Sequence, residues 1–510
     1  MSINILKGLY GYQIEAFKST EKNEKGIIVQ PTGTGKTMVQ SVVVGDDIIK
    51  NPGFRIYIVN APRIMLTYQL QKEFYNFLVS NGIDCNYQFV HSGGSSNTKE
   101  LEMIRKNYGS EIDYIKINSS TNIDECISTI NKSIKLDIPL IFFSTYNSAE
   151  IIYKACKKLN QIVSIVFNDE AHFLVEKRFY PILDKFKNSR QYFFTATRRL
   201  TTSDNGRGMS NEESYGKVLF ELSPRRAIDL GKMVRPRIHV VKTPNVRNND
   251  DFDKSLNKVL KHSFLTQKEH FKKEHNGLNV KMKVSVRGSK DIVKFIKSDE
   301  YAELREMGVD IFITSSKKEI GNDINGGKVK RQDFLTKLKE CGGNKDKEII
   351  VLHYDILSEG IDVPGLNTFM PLRDLTKSKT LQQYGRIARP HPFDRERMDS
   401  GEIKTTDINL MVKPFGYVVL PKITIENEDS YSNIRGIVEG LRDYGFECKE
   451  DVIGDFDPIG VDDDNTIDTH NKKTKRDKTT GDIINEIISD IESRERAEMS
   501  YIDYLKSVIN

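Results

Sequence analysis

The sequence predicts an α/β protein with two parallel sheets in tandem, each covered by helices, and a small helical C-terminal extension. Three observations carry this expectation. Apolar runs of strand length alternate with helix-period patterns through the first two-thirds of the chain, the order expected of βαβ units. The runs are rich in Val, Ile and Phe and do not alternate with polar residues, as befits strands buried on both faces. A second series of such runs begins near Lys281 after a polar stretch, so one domain's pattern is repeated rather than extended.

In chain order, the first series places strands at Gly26–Gln30, Arg55–Asn60, Pro139–Ser144, Ser164–Asn168 and Gln191–Thr195. Asn81 to about Asp137 is long for one connection between strands and reads as an insertion, with SGGSSNT (Ser92–Thr98) as loop. The stretch Pro236–Asn279 is polar and Lys/Asn/Asp-rich, and reads as a linker leading into helix. The second series is KMKVSVRG (Lys281–Gly288), Val309–Ser316, Glu348–Tyr354 and Leu366–Leu372. Domain 1 is therefore expected over 1–238, a linker and the start of the second domain over 239–280, domain 2 over 281–425, and the extension over 426–510. That extension holds an acidic patch at Asp462–Asp464 and a basic run, KKTKRDK (Lys472–Lys478). After it Ile484, Ile487, Ile488, Ile491, Ile502, Leu505 and Ile509 recur at helical spacing, which predicts one or two amphipathic helices that dock on the body or on a protein partner.

Composition narrows the function classes only a little. At 510 residues, with 38% hydrophobic and 29% charged residues, the chain can bury more than one core. No apolar run approaches the ~20 residues needed to span a bilayer. The opening MSINILKGLYGYQ lacks the charged head, apolar stretch and cleavage site of a signal peptide, so a cytoplasmic location is expected. Cys85, Cys126, Cys156, Cys341 and Cys448 are far apart with no C-x-x-C pair, which argues against zinc and a disulfide framework. A net charge of +5 permits a nucleic-acid partner without arguing for one.

The strongest chemical signal is GIIVQPTGTGKT, Gly26 to Thr37. A strand runs into a glycine-rich turn and then a helix, so backbone N–H groups of Thr32, Gly33, Thr34 and Gly35 can turn inward around a phosphate at a helix N-terminus. Lys36 supplies a point charge to the outer phosphates, and the Thr37 hydroxyl can ligate Mg²⁺. The first position of the usual P-loop pattern is Gln30 rather than Gly. The second signal is SIVFNDEAHFL, Ser164 to Leu174, in which an apolar strand delivers Asp169 and Glu170. At the C-terminal edge of such a sheet, where ligands sit, Asp169 would hold Mg²⁺ and Glu170 would polarise an attacking water.

QPTGTGKT, DEAH (Asp169–His172) and TAT (Thr195–Thr197) stand in the order of motifs I, II and III of superfamily 2 helicases, and the chain resembles that family over roughly residues 9 to 440. SEGIDVPGL (Ser358–Leu366) resembles motif V, and QQYGRIARP (Gln382–Pro390) resembles motif VI. LYGYQIEAF (Leu9–Phe17) resembles the element that places an adenine-reading Gln, here Gln13, ahead of the P-loop. The resemblance implies two tandem RecA-like domains with ATP and Mg²⁺ between them. Gly360 and Asp362 would touch the nucleotide from the second domain. Gln382, Arg386 and Arg389 would complete catalysis from the same side, with Arg389 as the arginine finger. His172, Thr195 and Thr197 would couple hydrolysis to movement. Nucleic-acid contacts are implied at Pro62 and Arg63 (motif Ia), Thr145 (in TYNS, Thr145–Ser148), Arg287, Thr314 and Ser315.

Within the superfamily the finer features are similar to DNA motors. Arg389 follows Ile387-Ala388, whereas RNA helicases of the DEAH type generally carry QRxGRxGR. The TYNS element, the stretch Glu221–Ile238 and the helix-like Tyr431–Gly445 resemble restriction-enzyme motor subunits and phage branch-migration helicases. The resemblance thus implies a DNA helicase or translocase acting on forked or branched DNA, plausible for a phage-encoded protein of recombination, replication or repair. A restriction-system motor subunit on duplex DNA and an RNA helicase are the alternatives. No P-D…(D/E)-x-K nuclease arrangement stands in a suitable strand setting.

Overall fold

The computed structural model describes residues 5–91, 120–200, 206–242, 249–275, 278–315, 320–354, 363–373, 377–422, 441 and 449–453. The expectations at Ser92–Thr98, Gly360, Asp362 and 454–510, and nearly all of Tyr431–Gly445, lie outside the described residues.

The first sheet holds seven parallel strands: β1 (Lys25–Val29), β2 (Ile56–Ala61), β3 (Asn86–Val90), β4 (Leu140–Thr145), β5 (Val163–Asp169), β6 (Arg190–Thr195) and β7 (Lys217–Glu221), in the order β3-β4-β2-β5-β6-β1-β7. Every residue of β2 and β4 is buried. Strand side chains alternate between faces, so Tyr57 and Val59 enter one apolar layer while Ile56 and Ile58 enter the other. Helices cover both layers, which is why these strands read as unbroken hydrophobic runs. Each fully buried Phe of β4, Phe142 or Phe143, contributes roughly 1.5–3 kcal/mol by leaving water, and truncation to Ala would cost about 3–5 kcal/mol.

The second sheet holds nine strands: β8 (Arg235–Lys242), β9 (Lys281–Ser285), β10 (Asp310–Thr314), β11 (Asn322–Ile324), β12 (Gly327–Val329), β13 (Ile349–His353), β14 (Thr368–Pro371), β15 (Phe415–Lys422) and β16 (Lys449–Ile453). Their order is β12-β11-β10-β13-β9-β14-β15-β8-β16. All pairings are parallel except those of β11, which meets β10 and β12 antiparallel. The β11–β12 turn is Asn325-Gly326, both at positive φ (58° and 90°), the Asn-Gly chemistry that favours a tight hairpin.

Two expectations differ from this arrangement. The 81–137 insertion contributes a sheet strand, β3, and a helix, Ile123–Leu136. The stretch taken as a linker leading into helix does hold the 26-residue helix Asn249–Glu274, but it also contains most of β8, which belongs to the second sheet although it begins at Arg235. Pro236 and the basic residues around it disguise the strand. Pro lacks a ladder N–H, but Pro236 sits before the first residue that β16 pairs with, Arg237.

Candidate nucleotide site in the cleft between the two sheets

The P-loop turn follows β1. Gly33 and Gly35 take φ of 84° and 83°, a left-handed backbone that a side chain resists. Gly35 is the N-cap of the helix Lys36–Lys50, so the turn ends on a helix N-terminus. The turn is braced from the preceding helix, Gly11–Glu21. Tyr12 donates its hydroxyl to the Thr34 carbonyl at 2.7 Å, and the Gln13 amide donates to the same oxygen at 3.3 Å. The Gln13 carbonyl accepts from the Tyr10 N–H at 3.0 Å. A Cβ on Gly35 would lie 2.4 Å from the Gln13 amide nitrogen.

Strand β5 delivers the acidic pair from its C-terminal end. Gln40, one turn along the P-loop helix from Lys36, donates to Asp169 Oδ1 at 3.2 Å, and Tyr146 donates to the Asp169 carbonyl at 2.6 Å. Glu170 sits at φ 49°, which turns its carboxylate back towards Lys36, 3.9 Å away. Burial, and then the Glu170 charge, push the Asp169 carboxyl upward. Burial also acts to raise Glu170, but Lys36, His172 and Arg386 together outweigh it and hold that carboxyl low. The two neighbours thus titrate apart, a usual feature of sites that need one group poised as a base.

His172 Nδ1 lies 3.1 Å from Thr195 Oγ1 and 3.5 Å from Glu170 Oε2. Burial lowers the His172 pKa, favouring the neutral ring. Thr195 Oγ1 in turn donates to the Thr197 carbonyl at 2.7 Å and accepts the Thr197 N–H at 3.2 Å. DEAH and TAT are therefore one connected network linking β5 to β6.

The second lobe meets this loop through the helix Lys377–Ile387 and the residues after it. A Cβ on Gly33 would lie 2.7 Å from Arg389 Nε, and one on Gly385 would lie 3.2 Å from Thr32 Cβ. Gly33, Val363, Gly365, Arg386 and Arg389 line a common cavity of about 420 Å³, and Gln382 lies on the same helix. The first sheet's glycine turn and the second sheet's paired arginines thus face one cleft. At another part of this contact, Asp399 accepts from the Tyr10 hydroxyl and from Lys232 Nζ, each at 2.8 Å. The same ammonium lies 3.4 Å from the Tyr10 ring centroid.

The other residues singled out in the sequence fall at strand ends. Ala61 pairs in register with Thr145, so the segments after β2 and β4 emerge side by side. Pro62 and Arg63 follow β2, and Arg63 is the exposed N-cap of the helix Ile64–Ser80. Thr145 is buried, its Oγ1 3.1 Å from Ser148 Oγ. In the second lobe Arg287 pairs with Asp291 at 3.3 Å. Thr314 is buried and donates to Asn322 Oδ1 at 2.8 Å, and Ser315 is buried with its N–H on the Gly321 carbonyl. The Thr314 hydroxyl is thus turned towards β11 within the lobe.

Several site residues carried no sequence signal strong enough to be singled out. Gln40 stands four residues after Lys36, a helical spacing that could have been noticed. Glu73 hydrogen-bonds the Thr37 hydroxyl and faces Arg389. Lys283, fully buried on β9, donates to Gln383 Oε1, and burial with Arg386 and Arg373 nearby pushes its amine far below its usual range.

Two sheet-bearing lobes, with a glycine turn and an Asp-Glu pair on one and an arginine pair on the other, thus meet at this cleft. Residues 6–200 match the family described as "Type III restriction enzyme, res subunit". The fold is similar to that of the ATP-dependent Type ISP restriction-modification enzyme LlaBIII bound to DNA (TM-score 0.60, 16% identity, 88% of this chain and 31% of that one). It is also similar to a nuclease-deletion mutant of the Type ISP enzyme LlaGI in complex with a DNA substrate mimic (0.56, 18%, 87% and 30%). A third similar fold is the fragment structure of a putative HsdR subunit of a type I restriction enzyme from Vibrio vulnificus YJ016 (0.51, 15%, 88% and 70%). The chain spans less than a third of the length of the two Type ISP enzymes. No curated protein sequence matches it. No helix among the described residues is long and apolar enough to cross a membrane.

Proposed function

We propose that the chain is an ATP-driven DNA translocase whose hydrolysis site is completed only when its two lobes meet. The observation that carries this is the approach of Arg389 to the Gly33 turn across the cleft. ATP would lie with its phosphates on the amides of Thr32 to Lys36 and its base towards Gln13. Glu170, held low by Lys36 and Arg386 among its neighbours, would take a proton from the attacking water as its oxygen bonds the terminal phosphorus and the bond from that phosphorus to the bridging oxygen breaks, with ADP leaving. Arg386 and Arg389 meet the charge that develops on the departing phosphate oxygens, an electrostatic contribution of about 10³–10⁵ in rate where such fingers have been measured.

Mg²⁺ fits the residues present. Thr37 and Asp169 supply hard oxygen donors, and Asp169 is buried with a second carboxylate, Glu170, beside it in sequence and acting on its charge. Bound there, the ion would screen the phosphate oxygens. His172, Thr195 and Thr197 would carry the state of the phosphate from β5 to β6. Pro62, Arg63 and Thr145 share the edge from which a strand-tracking groove would be built. Backbone amides and short hydroxyls there suit phosphate contacts that position without reading sequence.

The family matched by residues 6–200 and the folds that share this architecture favour movement along duplex DNA, as a motor subunit, over remodelling of forks. The test is ATPase stimulation and triplex displacement on plain duplex, with forked, four-way-junction and RNA substrates alongside and Lys36→Ala as control. Duplex-stimulated hydrolysis with triplex displacement, absent in Lys36→Ala, is expected. Preference for forks or junctions would assign recombination, replication or repair intermediates instead, and preference for RNA would overturn the DNA reading. Hydrolysis by Lys36→Ala at the wild-type rate would remove the P-loop from the site.

A further inference from the structure

We propose that Lys413 is a positioning residue for Arg389, acting through the backbone of the finger rather than on the nucleotide. The inference rests on the reading of Arg389 as the arginine that completes hydrolysis.

Arg389 lies just beyond the helix Lys377–Ile387, where main-chain carbonyls have no helical partner. Both peptides flanking its Cα are nevertheless anchored. The Ala388 carbonyl accepts the N–H of Val234, from the segment joining the two sheets, at 2.7 Å. The Arg389 carbonyl accepts from Lys413 Nζ at 2.6 Å. Pro390 follows, its ring fixing the next φ. The base of the finger is thus held from two sides while its guanidinium reaches the Gly33 turn.

Lys413 is itself held. It is 2% exposed and stands just before β15. Asp394, with no exposure, accepts the Val412 N–H with one carboxylate oxygen and the Lys413 N–H with the other, each at 2.8 Å. Asp394 sits in the first turn of the helix Pro392–Asp399, whose last residue takes part in the Tyr10–Lys232 contact. The chain leaving motif VI is therefore fastened to the strand that follows it, and Lys413 is the side chain that transmits this to Arg389. A buried amine on that carbonyl is a specific device, since an apolar residue would fill the space without holding the peptide.

The experiment is a double-mutant cycle on ATP turnover. Lys413→Met keeps an unbranched side chain, one heavy atom shorter, and removes the donor. It should lower kcat by about 10- to 100-fold, the scale on which sub-ångström misplacement acts, with KM for ATP nearly unchanged. Lys413→Arg, which retains a donor, should recover most of the rate. Arg389→Ala combined with Lys413→Met should be no slower than Arg389→Ala alone, because the second change then has nothing left to misplace. Additive losses, or a Lys413→Met enzyme at wild-type kcat, would overturn the proposal while leaving the finger intact. Wild-type turnover by Arg389→Ala would overturn the finger and the proposal together. Lys413→Leu, which also lacks a donor, serves the same cycle if the Met variant does not fold. A general packing defect would lower the melting temperature and slow the double variant further, which the cycle separates from positioning.

Discussion

Glu170→Gln is the substitution whose outcome the cleft constrains most tightly. The carboxylate lies 3.9 Å from Lys36 and 3.5 Å from His172, and these neighbours with Arg386 hold it ionised against burial. It is a base ready at neutral pH. Glutamine keeps the size and the hydrogen-bonding reach but cannot take a proton, so the loss should be that of a positioned general base, about 10²- to 10⁴-fold in kcat. In barrier height that is roughly 3–5 kcal/mol. The left-handed backbone at φ 49° strains Gln as it strains Glu, so it adds no difference between the two. The lost ion pair involves a partly exposed carboxylate and should cost at most ~1 kcal/mol of stability. ATP affinity should hold or tighten, because one negative charge facing the phosphates is gone. The assay is DNA-stimulated turnover at saturating ATP, with affinity read from a fluorescent nucleotide and folding from a melting curve. A kcat within threefold of wild type, or a loss matched by an equal loss of nucleotide binding, would refute the assignment.

Two further outcomes follow from contacts away from the phosphates. Asp399→Asn removes the charge and leaves one acceptor oxygen for two donors, Tyr10 and the buried Lys232. It should cost about 1–3 kcal/mol, seen as a lower melting temperature of the full chain, and an unchanged midpoint would show that the clasp carries no net stability. Burial drops the His91 pKa from 6.5 to about 4, so the folded ring stays neutral where the unfolded chain is protonated. Its contribution is intact above pH ~7 and is lost as pH falls below 6.5, the loss reaching about 2 kcal/mol at pH 5. His91→Gln should therefore lose less stability than wild type between pH 7.5 and pH 5 in denaturant titrations, and equal losses would contradict the buried neutral ring.

The central strands and the phosphate turn were legible in the sequence because each obeys a local rule. β2, β4 and β5 are unbroken apolar runs, and the Gly33–Thr37 turn lies between a strand and a helix. The outer strands were not legible. β7 and β16, at sheet edges, and β8, which begins in the segment joining the lobes, carry Lys, Arg, Glu or Pro, so composition masked them. The Asn325-Gly326 hairpin did have a local signal and could have been read. Lys413, Asp394, Lys232 and Asp399 follow no spacing rule. Their partners are backbone groups or side chains brought near by the meeting of two sheets, as in the Lys232–Asp399 pair, 167 residues apart, and no pattern along one chain encodes such a meeting.

The charge in the cleft explains why neither lobe should hydrolyse ATP alone. On the first lobe one cation, Lys36, faces two carboxylates, Asp169 and Glu170, and a triphosphate is itself strongly anionic. In a buried site, where charges are poorly screened, that set repels the terminal phosphoryl as much as it attracts it. Arg386 and Arg389 from the second lobe add positive charge where leaving-group charge accumulates. On the proposed function, the meeting of the lobes is then an electrostatic requirement of the reaction, and the free energy of that meeting would be available to move whatever the outer edges of the two sheets hold.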